Sequence, residues 1–347
     1  MVTENKFDKL LILLIYLSIF LNSFVFFTTP FEFYFGYIAY IILLPFFFAR
    51  YKLPRNIILL FLFLLLFGLF QVYIGNNVLS QFFKIYFGVA LSYIFYYFVV
   101  IEFKYDVQKL FKWYLLGCYW VSIIAIVQYI SFNIGFTLGY DYTWLFNKWG
   151  VVVEVGKIRV NSIFGEPSYL AIFLTGAVFV SFNDLLFYKN PYYFNKIKAV
   201  VIIIASVLTT SSAGYLGYFF ILVIFLVNFG FIRYALIITP LALIIFVQLY
   251  NNVPAFKDRF EGSLEIFTTG KFEIGKTNGS SIILYNNYHI AVENFKENFL
   301  GTGLGSHPTA YDKHSITKHI KMTGFANNQQ DANAMFNRLL SETGILG

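Results

Sequence analysis

One short stretch of the chain holds Lys157, Arg159, Asn161, Gly165, Glu166, Pro167 and Ser168, which together supply cations, a carboxylate and a helix-starting proline. Proline favours the first helical turn, so Glu166 stands where a new helix exposes unpaired N–H groups. An arginine beside a helix N-terminus makes an anion site, and a carboxylate next to it can move a proton. A plainer reading competes, because an acid complements the positive end of a helix and basic residues snorkel at an interface. Arg259 is a second cation with two readings, anion ligand or membrane-edge anchor. Glu166 and Asp331 are the carboxylate candidates for a base, and His289, His307 and His314 are the imidazole candidates. Glu32, in an early loop, is a further acid whose plainer reading is a helix cap. His314 and His319 lie five residues apart, off the helical pairing, and Cys118 is the only cysteine and sits in an apolar block. Neither a metal site nor a cofactor is expected from these residues.

The elements that must position these groups are written in the composition. Of 347 residues, 59% are hydrophobic, 22% aromatic and only 12% charged, against roughly 25% charged in a soluble domain. The apolar residues run in blocks of about 17 to 23, the length a helix needs to cross the bilayer core. Continuous blocks exclude the alternating pattern of a barrel, so the expected fold class is all-α, a polytopic transmembrane helical protein. Spans are expected near residues 9–28, 33–49, 56–74, 83–101, 113–131, 166–187, 198–211, 213–230 and 234–250. The break between the seventh and eighth rests on Thr209, Thr210, Ser211, Ser212, Ala213 and Gly214, which is turn chemistry. A single helix through it would be about 50 Å long and mismatched to the bilayer.

Lysines and arginines gather in alternate connections: Lys6 and Lys9; Arg50, Lys52 and Arg55; Lys104, Lys109 and Lys112; Lys189, Lys196 and Lys198; and Arg233. That asymmetry predicts a cytoplasmic N-terminus, with residues 132–165 and 251–340 outside. The formal charge of +7 is scattered between spans and builds no basic face, so nucleic acid is not an expected partner. The expected organisation is a transmembrane domain over 1–250, a large polar loop over 251–340 and the start of a further span at 341–347. Within the loop, short amphipathic helices are expected over 288–299 and 331–341. Aromatic clusters such as Tyr93 to Phe98 read as an interfacial belt.

The run Arg-Val-Asn-Ser-Ile-Phe-Gly-Glu-Pro-Ser-Tyr-Leu-Ala (159–171) resembles the signature of the O-antigen polymerase and O-antigen ligase superfamily. Three further pieces follow in order. Leu-Thr-Thr-Ser-Ser-Ala-Gly (208–214) resembles a serine-containing turn of that family. Asn-Phe-Leu-Gly-Thr-Gly-Leu-Gly (298–305) resembles its glycine-rich element, and Asn-Arg-Leu-Leu-Ser-Glu-Thr-Gly-Ile-Leu-Gly (337–347) resembles the stretch closing its large loop. Arg259, with Gly270 eleven residues later, resembles a spacing seen in some polymerases.

The resemblance implies a GT-C-like glycosyltransferase of the bacterial inner membrane, with its large loop periplasmic. It implies transfer of oligosaccharide from undecaprenyl diphosphate without a metal, and the chain lacks the Asp-x-Asp motif of metal-dependent enzymes. Arg159 and Arg259 then compensate the diphosphate, with Lys157 secondary, and Glu166 assists the acceptor. Ser168, Ser212, His289, His307 and Asp331 are the accompanying substrate-binding candidates. Partners implied are the lipid-linked oligosaccharide, the bilayer, a chain-length regulator and a flippase. A ligase usually shows His-Asn where this chain has Asn333 and Ala334, and Ser-Arg where it has Ser212 and Ala213. Both departures favour polymerase over ligase transfer to lipid A core or protein. A flippase or transporter is the reading from another class, and it expects internal repeats and midplane charges that this sequence does not display.

Overall fold

A computed structural model describes residues 6–346, apart from 22, 29–31, 155, 187–192, 229–234, 253, 273–276, 278, 319–327 and 333. The chain is mostly helical. In order come α1 (Lys6–Phe20), α2 (Phe35–Arg50), α3 (Arg55–Tyr73), α4 (Leu79–Glu102), α5 (Val107–Asn133) and the single turn α6 (Thr137–Tyr140). A hairpin of β1 (Val152–Glu154) and β2 (Lys157–Arg159) leads into α7 (Pro167–Leu186), α8 (Lys196–Leu208), α9 (Ser212–Asn228) and α10 (Ala235–Asn252). Then follow α11 (Pro254–Thr269), α12 (Gly279–Glu297), α13 (His307–His314), α14 (Met335–Arg338), a π turn (Leu339–Thr343) and a 3-10 turn (Gly344–Leu346).

Among the described residues four helices, α3, α4, α5 and α7, are long and apolar enough to cross a membrane. The 19 residues of α3 reach roughly 29 Å at 1.5 Å per residue, close to the thickness of the hydrocarbon layer. Its Ile58, Leu59, Leu62, Phe63, Leu66 and Phe70 all face outward, a surface suited to lipid and not to water. Side-chain caps start two other helices: Asp106 accepts from the Lys109 N–H at α5, and Asn195 from the Lys198 N–H at α8.

The first helix departs from expectation. Apolar sequence continues to Phe27, yet α1 stops at Phe20. Val25 instead bridges Tyr34, and its backbone N–H and C=O are both taken by the Asn147 amide, at 2.8 and 2.5 Å. A tertiary partner satisfies the backbone there, so no helix is needed. The Thr209–Gly214 region does break the chain: α8 ends at Leu208, α9 begins at Ser212, and Thr210 between them has φ of 44°. In the polar region α12 is longer than the expected 288–299, and the helix expected over 331–341 is a four-residue turn followed by the π turn.

The chain forms two compact units. The first comprises residues 1–51 and 91–234, and the second residues 52–90 and 235–347, the boundary passing through α4. In the first unit α5, α7 and α8 share a buried core, with Leu115, Cys118, Val121 and Ala125 meeting Leu170, Leu174, Ala177, Ala199, Ile202 and Ala205. Small side chains at spacings of three and four let these backbones approach, the usual device of helices in lipid. Gly217 of α9 extends it, because a Cβ there would stand 2.8 Å from the Thr175 hydroxyl of α7. In the second unit Phe82 lies against Gly68 of α3, where any Cβ would overlap its ring.

Candidate functional site

The segment carrying Arg159 and Glu166 is anchored by one amide. Gln128 is fully buried in α5. Its Oε1 accepts from the N–H groups of Asn161 (3.1 Å) and Ser162 (2.9 Å), and its Nε2 donates to Asn161 Oδ1 (2.9 Å) and to the Tyr140 carbonyl (3.2 Å). Asn161 in turn donates to the carbonyls of Gly150 and Phe164. Ser162, at φ of 52°, is locked by its hydroxyl on Val121 O and by the Trp149 indole on its own carbonyl. Asn161 therefore spends its amide on holding the loop and is a structural residue.

On that base, Arg159 ends β2, paired in register with Val152. Its Nε donates to the Thr209 carbonyl at 3.4 Å and its Nη1 lies 3.5 Å from Glu154 Oε2. Two of the sequence runs quoted above, 159–171 and 208–214, therefore meet. Partial burial holds the Arg159 guanidinium below its ordinary range, while the nearby Tyr215 and Glu166 side chains oppose that shift. Lys157 is exposed on the same strand. Glu166 caps α7, its carbonyl accepting from the Tyr169 and Leu170 N–H groups, and its exposed carboxylate accepts from the Ser168 hydroxyl at 3.1 Å.

Glu166 opens onto a cleft of about 610 Å³ lined also by Tyr34, Lys148, Phe164, Tyr169 and Phe173, within the range of small-molecule sites. Lys148 Nζ donates to Glu32 Oε2 and to the Tyr34 hydroxyl, both at 2.5 Å, and that hydroxyl donates to Glu32. The cleft thus offers carboxylate acceptors, an ammonium donor and aromatic faces, a set that fits a hydroxylated and phosphorylated ligand.

The second unit holds a different cluster. Gly301, Gly303 and Gly305 all have positive φ. A Cβ at Gly305 would come 2.6 Å from the Gln81 carbonyl, and one at Gly301 2.5 Å from the Glu342 carbonyl, so only glycine fits. The 3%-exposed Glu342 side chain accepts from the Gly305 N–H at 2.9 Å and from Arg338 Nε at 3.2 Å. Arg338 Nη1 also lies 3.8 Å from Asp331. His307 is buried, its Nε2 3.2 Å from the Asn328 carbonyl. Burial lowers its pKa, the Asn328 carbonyl and Asp331 resist that, and Arg338 adds to it. The runs 298–305 and 337–347 are thereby packed together, tied by Asn294 of α12, which donates to Thr302 Oγ1, Ser341 O and Ser341 Oγ.

His289 is half-buried on α12, stacked on Tyr285, and His314 Nε2 is 3.5 Å from Glu297. Asp331 is exposed. Arg259 and Ser212 fall on α11 and α9, with their side chains outside the described residues, as are His319 and Asn333. Among the described residues no three His, Cys, Asp or Glu side chains gather as a metal site. Sequence reading passed over Lys148 and Tyr34 on the Glu166 cleft, Gln128 beneath the 159–166 segment, and, in the second unit, Arg338 and Glu342 against the glycine turn. Arg338 and Glu342 had a signal, four residues apart on a helical stretch. Compared with known proteins, the chain matches no family model, no curated protein and no solved structure.

Proposed function

We propose that the chain is a membrane glycosyltransferase that polymerises lipid-linked oligosaccharide repeats of O-antigen or capsule type at the outer face of the inner membrane. The observation that carries this reading is the Glu166 cleft, with Lys148 lining it and Arg159 within electrostatic reach of Glu166. In the proposed step an acceptor hydroxyl oxygen bonds to the anomeric carbon as the bond from that carbon to phosphate breaks. Undecaprenyl diphosphate leaves with the electron pair, and the hydroxyl proton passes to Glu166. Arg159, with Lys157 and Lys148, compensates the charge of the departing diphosphate. Ser168 holds the Glu166 carboxylate. Nothing in this reading requires Arg259, His289, His307 or Asp331 to touch the reacting atoms.

The test is the surface and lipid-linked glycan of the source bacterium with the gene deleted, restored, and restored as Arg159→Ala. A polymerase gives single repeats on deletion and a ladder on restoration. Arg159→Ala is expected to lose at least 10²-fold of polymer while inserting in the membrane at wild-type level. Long chains trapped on the carrier identify a ligase, an unchanged profile sinks both, and a full ladder from Arg159→Ala removes Arg159 from the mechanism.

A further inference from the structure

The glycine turn of the second unit belongs to a stretch that is polar in sequence, yet it is seated on α3, a helix long and apolar enough to cross a membrane. A Cβ at Gly303 would stand 3.4 Å from Gly68 Cα and from Gln71 Cβ of α3, and one at Gly305 would meet Ile85 of α4 at 3.0 Å. Gly68 precedes Tyr73, where α3 ends, by five residues, so the turn reaches roughly 7–8 Å below that end at 1.5 Å per residue. The largely exposed Tyr73 is of the type that marks the boundary between lipid and water. Irregular backbone survives at such a depth when its polar groups are satisfied within the protein. The N–H groups of Gly301, Thr302 and Gly303 donate to the carbonyls of Asn298, Ser341 and Glu342, that of Gly305 to the Glu342 carboxylate and that of Ser306 to the Gly303 carbonyl. The Leu304 carbonyl accepts from the Asn77 amide at 2.9 Å.

The outer side of the turn is apolar. Phe299 and Leu300 are each more than half exposed, and so are Ile345 and Leu346, which the bond from the Ile345 N–H to the Phe299 carbonyl ties beside them. Large apolar side chains gathered outward in this way are unsuited to water and mark an apolar partner. Position selects which partner. The Asn76 amide at the end of α3 donates to Asn298 Oδ1 at 3.3 Å, so the patch adjoins the helix whose Leu66, Phe70 and Ile74 already face outward. We propose that this edge of the second unit dips into the bilayer, with Phe299, Leu300, Ile345 and Leu346 among the lipid acyl chains at the membrane–water boundary. The glycine turn is then a membrane-surface element, held there by Glu342 and Asn77. The proposal needs only that α3 crosses the membrane and is independent of the transferase reading.

The experiment uses the full chain in nanodiscs of phosphatidylethanolamine and phosphatidylglycerol. Cys118, the only cysteine, is replaced by alanine, and a nitroxide is attached at Leu300→Cys or Leu346→Cys. Leu62→Cys on the outward face of α3 is the lipid reference, and Lys318→Cys, at an exposed position, is the water reference. Collisions with oxygen, which concentrates in hydrocarbon, and with a nickel chelate, which stays in water, place each label. Oxygen is expected to dominate at 300 and 346 as it does at 62, at a depth of roughly 5–10 Å, and the chelate at 318. Dominance of the chelate at 300 and 346 overturns the proposal, and shielding from both reagents overturns it too, because protein would then be the occupant. If the labelled chains fail to fold, the unaltered chain decides. With a phospholipid carrying a diazirine midway along its acyl chain, crosslinks are expected on the tryptic peptides that begin at Glu297 and Leu339; crosslinks on α3 with none on either peptide overturn the proposal.

Discussion

The Glu166 segment of the first unit and the glycine turn of the second handle charge in opposite ways. In the first, neutral amides do the fastening: Gln128 and Asn161 bury their groups against backbone, and the ionisable Glu166, Lys148 and Lys157 stand at exposed positions or on a cleft. In the second, charge itself is the fastening, with buried Glu342 joining Arg338 to the glycine turn at Gly305. A carboxylate that is already committed to an arginine and an N–H has little freedom to move a proton, and one that opens to a cleft has it. The comparison directs the search for chemistry to the first unit.

The contrast breaks most readily at Glu342. Glu342→Ala leaves Arg338 and the Gly305 N–H without their acceptor and is expected to cost about 3–5 kcal/mol, seen as a large loss of thermal stability in detergent. Gln128→Leu removes a hub of four hydrogen bonds and leaves buried N–H groups orphaned, for about 2–3 kcal/mol by the same measurement. If Gln128→Leu proves harmless, the neutral-amide account of the first unit fails.

A smaller effect follows pH. Because burial depresses the His307 pKa, the unfolded chain binds the extra proton more readily than the folded one. Stability is therefore full above about pH 6.5, the ordinary histidine value, and falls as pH drops below it. Melting curves at pH 7.5 and 5.5 should show a drop that His307→Gln reduces. The smallest change in stability is expected for Glu166→Gln, within about 0.5 kcal/mol for an exposed side chain, together with a strong loss of glycan transfer. Equal loss of stability and transfer would turn Glu166 into a structural cap.

The long apolar helices α3, α4, α5 and α7 were legible because each is an apolar run with charges between runs, and the α8–α9 break because Thr-Thr-Ser-Ser-Ala-Gly is turn chemistry. The end of α1 was not, since the residue that takes over its backbone bonds, Asn147, lies 122 positions from Val25. Arg159 and Glu166 stood out as ionisable groups beside a helix-starting proline. Lys148 joined Glu166 only through the wall of one cleft, and its carboxylate partner Glu32 lies 116 residues away. Gln128 was silent in sequence because one amide in a hydrophobic helix leaves its periodicity unchanged. The three asparagines of α12 that reach the backbone at 316, 332 and 341 were silent for the same reason.

The glycine turn also sets a timetable. Asn77 donates to the Leu304 carbonyl, a partner 227 residues later in the chain. At a synthesis rate of roughly 5–20 residues per second, that partner emerges about 10–45 s after Asn77. Through that interval α3 and the start of α4 sit in the bilayer with Gln71, Asn76 and Asn77 waiting for their lids. A nascent chain halted before residue 301 should therefore be a strong client of membrane chaperones and proteases, and one carried past Glu342 should escape them.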